Sequence, residues 1–156
     1  MQLDSIRATT RKRVSELGWM EGKWTDHYRL FATPKVSEFR RDAPVFIAPS
    51  RGGLWLVVRD SGHTIDIARY LSFDPTTKRW KRLELGIPTY SSYAETAADW
   101  NGGRLVFEYA MALEPYLGHT LRQRETWSRL SRDEWSLTVE QQLSDGRYVF
   151  IEESRL

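Results

Sequence analysis

The chain predicts an all-β fold: an antiparallel up-and-down β-barrel of about 8–10 strands behind a short N-terminal helix. Three observations predict it. From Trp24 onward apolar residues recur with period two, as in a strand with one covered face. Turn-forming clusters recur at hairpin spacing: Asp60-Ser61-Gly62-His63, Asp74-Pro75-Thr76-Thr77, Asn101-Gly102-Gly103, Ser131-Arg132-Asp133-Glu134 and Ser144-Asp145-Gly146. No helical pattern separates consecutive strands, so nothing supplies the crossover that parallel pairing needs. Closing the meander into a barrel removes the two edges that an open sheet would expose.

Taken in order, residues 4–20 read as a short helix carrying Ile6, Val14, Leu17 and Met20, with Asp4 or Ser5 as N-cap and Gly18 near its end. Gly22 then permits a sharp change of direction, and Trp24 offers a ring able to close one end of a barrel. The first strand alternates Trp24, Asp26, Tyr28 and Leu30 against Thr25, His27, Arg29 and Phe31, and Pro34 ends it. Val36–Ile47 is the second strand, weakened at its far end by Pro44, with 49–53 a loop, and Leu54–Arg59 is the third. Thr64–Phe73, Lys78–Leu85, Thr89–Trp100, Arg104–Leu113, His119–Leu130, Trp135–Leu143 and Arg147–Glu153 complete about ten.

At 156 residues the chain reads as a single domain, 1–156, with residues 1–20 its helical segment. Aromatic residues make up 13%, which suits a thick core or an aromatic-lined cavity. A net charge of +2, from 23 basic and 21 acidic residues, is too small and mixed for a nucleic-acid face, so a small molecule is the expected partner. Cysteine is absent, which excludes disulfides, thiolate nucleophiles and Cys-ligated metals. The first residues are charged and no apolar run is long enough to span a bilayer, so a cytoplasmic protein with no membrane anchor is expected.

Alternation also assigns an inner face. Ile65, Ile67, Leu71 and Phe73 share theirs with Arg69; Leu105, Phe107, Tyr109, Met111 and Leu113 form another; Leu121 and Trp127 carry Gln123 and Glu125 with them. With Asp26 and Tyr28 of the first strand, the inner polar set is Asp26, Tyr28, Arg69, Tyr109, Gln123 and Glu125. A buried charge needs a partner, so Arg69 is expected to pair with Glu125 or Asp26. A structural ion pair and a polar group placed for a ligand both remain open.

Gly22-Lys23-Trp24 after a short helix resembles the Gly-x-Trp signature of the calycin superfamily. Leu17 to Trp24, Phe73-Asp74-Pro75-Thr76-Thr77-Lys78-Arg79-Trp80 and the closing hairpin from Trp127 to Arg155 are similar to bacterial lipocalin-like proteins. The resemblance covers about residue 15 to the end. It implies an eight-to-ten-stranded barrel with Trp24 at its closed end and Arg155 or Arg147 stacked over that ring. It also implies carriage of small hydrophobic molecules, with isomerases, cyclases, dehydratases and haem proteins as a minority; fold analogy does not choose among these.

His27, His63 and His119 are scattered, without the spacing that brings two ligands to one metal, so no metal site and no cofactor are expected. His27 is expected to face outward. No Gly-x-Ser-x-Gly elbow or phosphate loop occurs. Arg40-Arg41 and Arg122-Gln123-Arg124 are the densest basic spots and read as solvated strand faces. The loops with Tyr90 and Tyr116 have the Tyr and Gly content of barrel-mouth loops. Three functions stay open: a carrier of a small hydrophobic or aromatic molecule with an anionic end, bound by Tyr28, Arg69, Tyr109, Gln123, Trp127, Tyr90 and Tyr116; a cofactor-independent lyase, cyclase or isomerase with Glu125 or Asp26 as general base; and a structural or dimerising module, a homodimer, packed full of its aromatics.

Overall fold

The structure, a computed structural model, describes residues 2–34, 36–61, 66–87, 90–97, 103–110 and 122–156. Helix α1 (Leu3–Ser15) and a 3-10 turn (Gly18–Met20) lead into β1 (Gly22–Leu30), β2 (Phe39–Pro49), β3 (Leu56–Asp60), β4 (Asp66–Asp74), β5 (Arg79–Ile87), β6 (Tyr90–Thr96), β7 (Arg104–Ala110), β8 (Arg122–Arg129), β9 (Trp135–Gln142) and β10 (Tyr148–Arg155). The ten strands form one sheet in the order β6-β5-β4-β3-β2-β1-β10-β9-β8-β7. Every registered pair is antiparallel. Chain neighbours lie side by side and β1 meets β10, which is the strand order of an up-and-down barrel and the fold class read from the sequence. The chain divides into two compact units: Met1–Trp24 with Pro44–Asp99, and Thr25–Ala43 with Trp100–Leu156.

In the first unit α1 starts one residue before the expected N-cap. Gln2 occupies the cap position without a side-chain bond, while Asp4 sits in the first turn and Lys12 and Arg13 in the last, matching the helix dipole at both ends. The 4–20 segment is not one helix. Bonds from Leu17 to Val14, Met20 to Leu17 and Glu21 to Gly18 tighten it into 3-10 geometry. Val14, Leu17 and Met20 are buried, each contributing about 1.5–3 kcal/mol. The helix is fastened to β4 by the Thr10 hydroxyl, which donates to the Phe73 carbonyl at 3.0 Å. Arg13 lies 4.8 Å over the Phe73 ring. Gly22, at φ +137°, holds a backbone that side chains rarely adopt, and the Trp24 indole N–H donates back to the Met20 carbonyl at 2.7 Å.

β2 runs through Pro44 and on to Pro49, past the expected stop. Pro44 is tolerated because its missing N–H falls before the ladder with β3 begins at Val45↔Asp60, and Pro49 pairs with Leu56. The β4–β5 hairpin pairs nine residues, from Asp66↔Ile87 to Asp74↔Arg79. Its turn is set by Asp74 Oδ1, which accepts the Thr76 backbone N–H at 2.9 Å, and by Lys78, at φ +54°. The buried face carries Val45, Ile47, Leu56, Val58, Leu71 and Trp80.

In the second unit β7 sends Leu105, Phe107 and Tyr109 to the buried face, beside Gln123, Glu125 and Trp127 of β8 and Leu137, Val139 and Gln141 of β9. Trp127 and Trp135 stack with centroids 5.4 Å apart and planes at 4°. In β10 the register shifts between Phe150 and Glu152, leaving Ile151 as an extra residue. Ahead of this bulge Val149 faces Gln141; beyond it Glu152 faces Val139 and Ser154 faces Leu137. On the other face Arg124 holds Glu140 with two bonds, at 2.8 and 3.0 Å, and lies 4.1 Å over the Tyr148 ring.

Candidate functional site

Arg69 lies on the buried face of β4, as alternation places it, and forms an ion pair with Glu84. The register sets Arg69 opposite Glu84, and Arg69 Nε reaches Glu84 Oε2 at 2.5 Å. The side chains are 13% and 7% exposed, so the pair is largely removed from water. Arg82, two residues earlier on the same face of β5, is fully buried and donates to the Ser92 hydroxyl at 2.5 Å. Ser72, expected on the polar face, is buried with its hydroxyl donating to the Leu54 carbonyl at 2.7 Å.

The second unit brings Tyr109, Glu125 and Trp127 together. Glu125, 1% exposed, accepts the Trp127 indole N–H at 2.5 Å and the Tyr109 hydroxyl at 3.4 Å. Gln123 is buried beside Tyr109 across the β7–β8 ladder. Asp26 is buried and accepts the Ser154 hydroxyl at 3.0 Å. The cluster is a hydrogen-bonded acid–phenol pair in an apolar wall, chemically able to hold or pass a proton.

Tyr28 lies elsewhere in that unit, half-buried, at an open cleft of about 700 Å³. His27, Tyr28 and Arg29 of β1, Arg40, Arg41 and Asp42 of β2, and Glu153 and Arg155 of β10 line it. Strand pairing explains part of the assembly, since Arg29 stands opposite Glu153 and His27 opposite Arg155. The Arg41 guanidinium lies 4.7 Å over the Tyr28 ring. His27 faces outward and its Nδ1 is 2.8 Å from Asp42 Oδ1. Glu38, next to the cleft, joins Arg29 and Arg40; their hydrogen bonds, Arg40 first and then Arg29, hold its carboxyl below the usual carboxylate range. Arg155 pairs with Glu153 at 3.0 Å, and Arg147 with Asp145 at 2.7 Å.

Sequence reasoning missed Arg41, Arg82, Glu84 and Ser154. Arg40-Arg41, read as a solvated face, in fact divides: Arg40 is exposed, while Arg41 is half-buried against Tyr28. Glu84 could have been found by counting back from the Asp74 turn, which places it opposite Arg69. Tyr116, His63, His119 and Leu121 lie outside the described residues, as does the Tyr90 side chain. Among the described residues no three His, Asp or Glu side chains gather as a metal-ion site would need, and no helix is long and apolar enough to cross a membrane.

Fold and site together define an all-β, antiparallel up-and-down protein with a basic cleft beside a tyrosine. No family model matches the chain, and no curated protein matches it in sequence.

Proposed function

We propose that the chain binds a small aromatic or hydrophobic molecule with an anionic end, and that the cleft beside Tyr28 receives it. The observation that carries this reading is the Arg41 guanidinium 4.7 Å over the half-buried Tyr28 ring, at a cleft of about 700 Å³ whose lining also includes Arg29, Arg40 and Arg155 and two carboxylates. That volume suits a small organic molecule. The tyrosine offers a flat apolar contact, and Arg41 offers a guanidinium fork for a carboxylate or phenolate. Arg69, which pairs with Glu84, is the other arginine of this reading. The Gly22-Lys23-Trp24 motif and the up-and-down strand order support a lipocalin-like kinship, and a cytoplasmic carrier is the setting proposed with it.

Calorimetric titration with 1-naphthoate tests this reading. Binding to the unaltered protein is expected, with about tenfold loss in Arg41→Leu. Equal affinity in the variant, or no heat in either, overturns it.

A second reading, a cofactor-independent lyase, cyclase or isomerase, is favoured by the Tyr109–Glu125 contact, in which Glu125 acts as base and Tyr109 steadies developing negative charge. Asp26 is the other carboxylate in that reading. A substrate turned over at full rate by Glu125→Gln removes Glu125 from the chemistry.

A further inference from the structure

In the first unit the leucines of β5 are on the wrong side for a core. Arg82 and Glu84 are buried, while Leu83 and Leu85 lie on the opposite face of the strand. The register carries that face across five strands: Ala48 of β2 stands beside Val57 of β3, Val57 beside Tyr70 of β4, Tyr70 beside Leu83, and Leu83 beside Tyr93 of β6. Two residues along each strand, Phe46, Ala68 and Leu85 continue the stripe in a second row. Tyr93 is 50% exposed and Phe46 42%. Helix α1 reaches the other face, where Arg13 lies over the Phe73 and Trp80 rings. An antiparallel sheet ordinarily turns polar residues outward on the side away from its core, so an apolar stripe over five strands marks a contact surface.

The charges around the stripe are arranged about Tyr70. On β3, one strand over and two residues along, stands Arg59, beside Ala68; it is exposed, with no ion-pair partner among the described residues. On β5, one strand over and two residues along in the opposite senses, stands Lys81, beside Ser72. Lys81 meets Asp74 at 2.8 Å and Glu95 at 3.8 Å, so this corner carries two carboxylates against one ammonium. The basic and acidic corners therefore lie at equal steps on either side of Tyr70. We propose that this face is the contact between two copies of the chain, related by a two-fold axis that passes Tyr70 along the other diagonal of the face. The axis exchanges the two corners, so Arg59 of each copy comes over the acidic corner of its partner while the apolar rows pack together. Five strands about 4.8 Å apart and three rows about 6.7 Å apart give a footprint of roughly 24 by 20 Å. That is small beside the ~800 Å² per partner of a standard interface, so the dimer is reversible, with a Kd on the order of 10 µM.

Sedimentation velocity of the full chain, from about 1 to about 300 µM, is expected to show monomer passing into dimer. Leu83→Asp puts a charge in the middle of the stripe and is expected to stay monomeric throughout. Arg59→Glu is expected to weaken dimerisation about tenfold, and Arg59→Glu combined with Glu95→Arg to restore it, because exchanging both charges re-creates the pair across the axis. A chain that is monomeric at every concentration overturns the proposal, as does a dimer that Leu83→Asp leaves unchanged, which puts the contact on another face. Arg59→Glu without effect, or without rescue by Glu95→Arg, overturns the two-fold arrangement. A monomer that co-sediments with phosphatidylglycerol vesicles gives the face to a lipid surface and overturns the dimer likewise. Urea midpoints followed by tryptophan fluorescence check the folding of each variant. Should Leu83→Asp fail to fold, the Arg59 and Glu95 exchange, at side chains outside the buried face, decides the question.

Discussion

Replacing Glu84 by Gln removes one charge from a pair that is nearly out of water. Arg69 Nε and Glu84 Oε2 are 2.5 Å apart, with side chains 13% and 7% exposed, so solvent screens the attraction little. Gln keeps the shape and leaves the Arg69 guanidinium facing a neutral amide, with Arg82 on the same face two residues before. Breaking a buried pair from one side costs about 3–5 kcal/mol. Taking ~3 kcal/mol and a urea slope of ~2 kcal/mol per molar, the midpoint should fall by roughly 1.5 M. Arg69→Met should cost a similar amount, whereas Arg69→Met with Glu84→Met removes both members of the pair and should fall well short of the sum. Urea unfolding of the four proteins, followed by tryptophan fluorescence, gives the coupling energy directly, expected at about 1.5 kcal/mol or more. Additive single effects, or an unmoved midpoint in Glu84→Gln, would refute the claim that burial makes this pair interdependent.

Two further outcomes are expected. Lys78, at φ +54°, holds a conformation that costs a side chain but not glycine, so Lys78→Gly should raise stability by about 0.5–1 kcal/mol, read as a higher urea midpoint. Hydrogen bonds from Lys81 and then Thr76 hold the Asp74 carboxyl far below the usual carboxylate range; its contribution is therefore full above about pH 4 and lost as pH falls further, and Asp74→Asn should flatten that acid limb of the stability profile.

The strands were legible because hairpin turns and period-two alternation act locally. Each of the ten lies where these signals place it, with ends displaced by a few residues. Faces were legible where one side is plainly apolar, as in β7 and β8, and there Gln123 and Glu125 are buried as alternation predicts. In β5 alternation misleads. Leu83 and Leu85 fall on the half-buried side, while Arg82 and Glu84 are buried, Arg82 donating to Ser92 of β6 and Glu84 accepting from Arg69 of β4. Pairing across strands is not written in any one strand: the Arg69–Glu84 pair comes from the β4–β5 register, which both strands and their turn set together. The cleft was illegible for the same reason: its arginines come from three strands, and the doublet Arg40-Arg41 looks like ordinary surface until the Tyr28 ring is set beside it.

The extra residue in β10 has a consequence for how this strand tolerates change. On either side of Ile151 the ladder with β9 is keyed separately, by Tyr148 to Phe150 on one arm and Glu152 to Arg155 on the other. A one-residue slip originating in the Ser144-Asp145-Gly146 turn therefore has a place to be absorbed. It can be taken up by the short arm, leaving undisturbed the arm that pairs with β1 and carries Glu153 and Arg155 into the cleft. The bulge works as an expansion joint: length variation in one hairpin is kept from reaching Glu153 and Arg155.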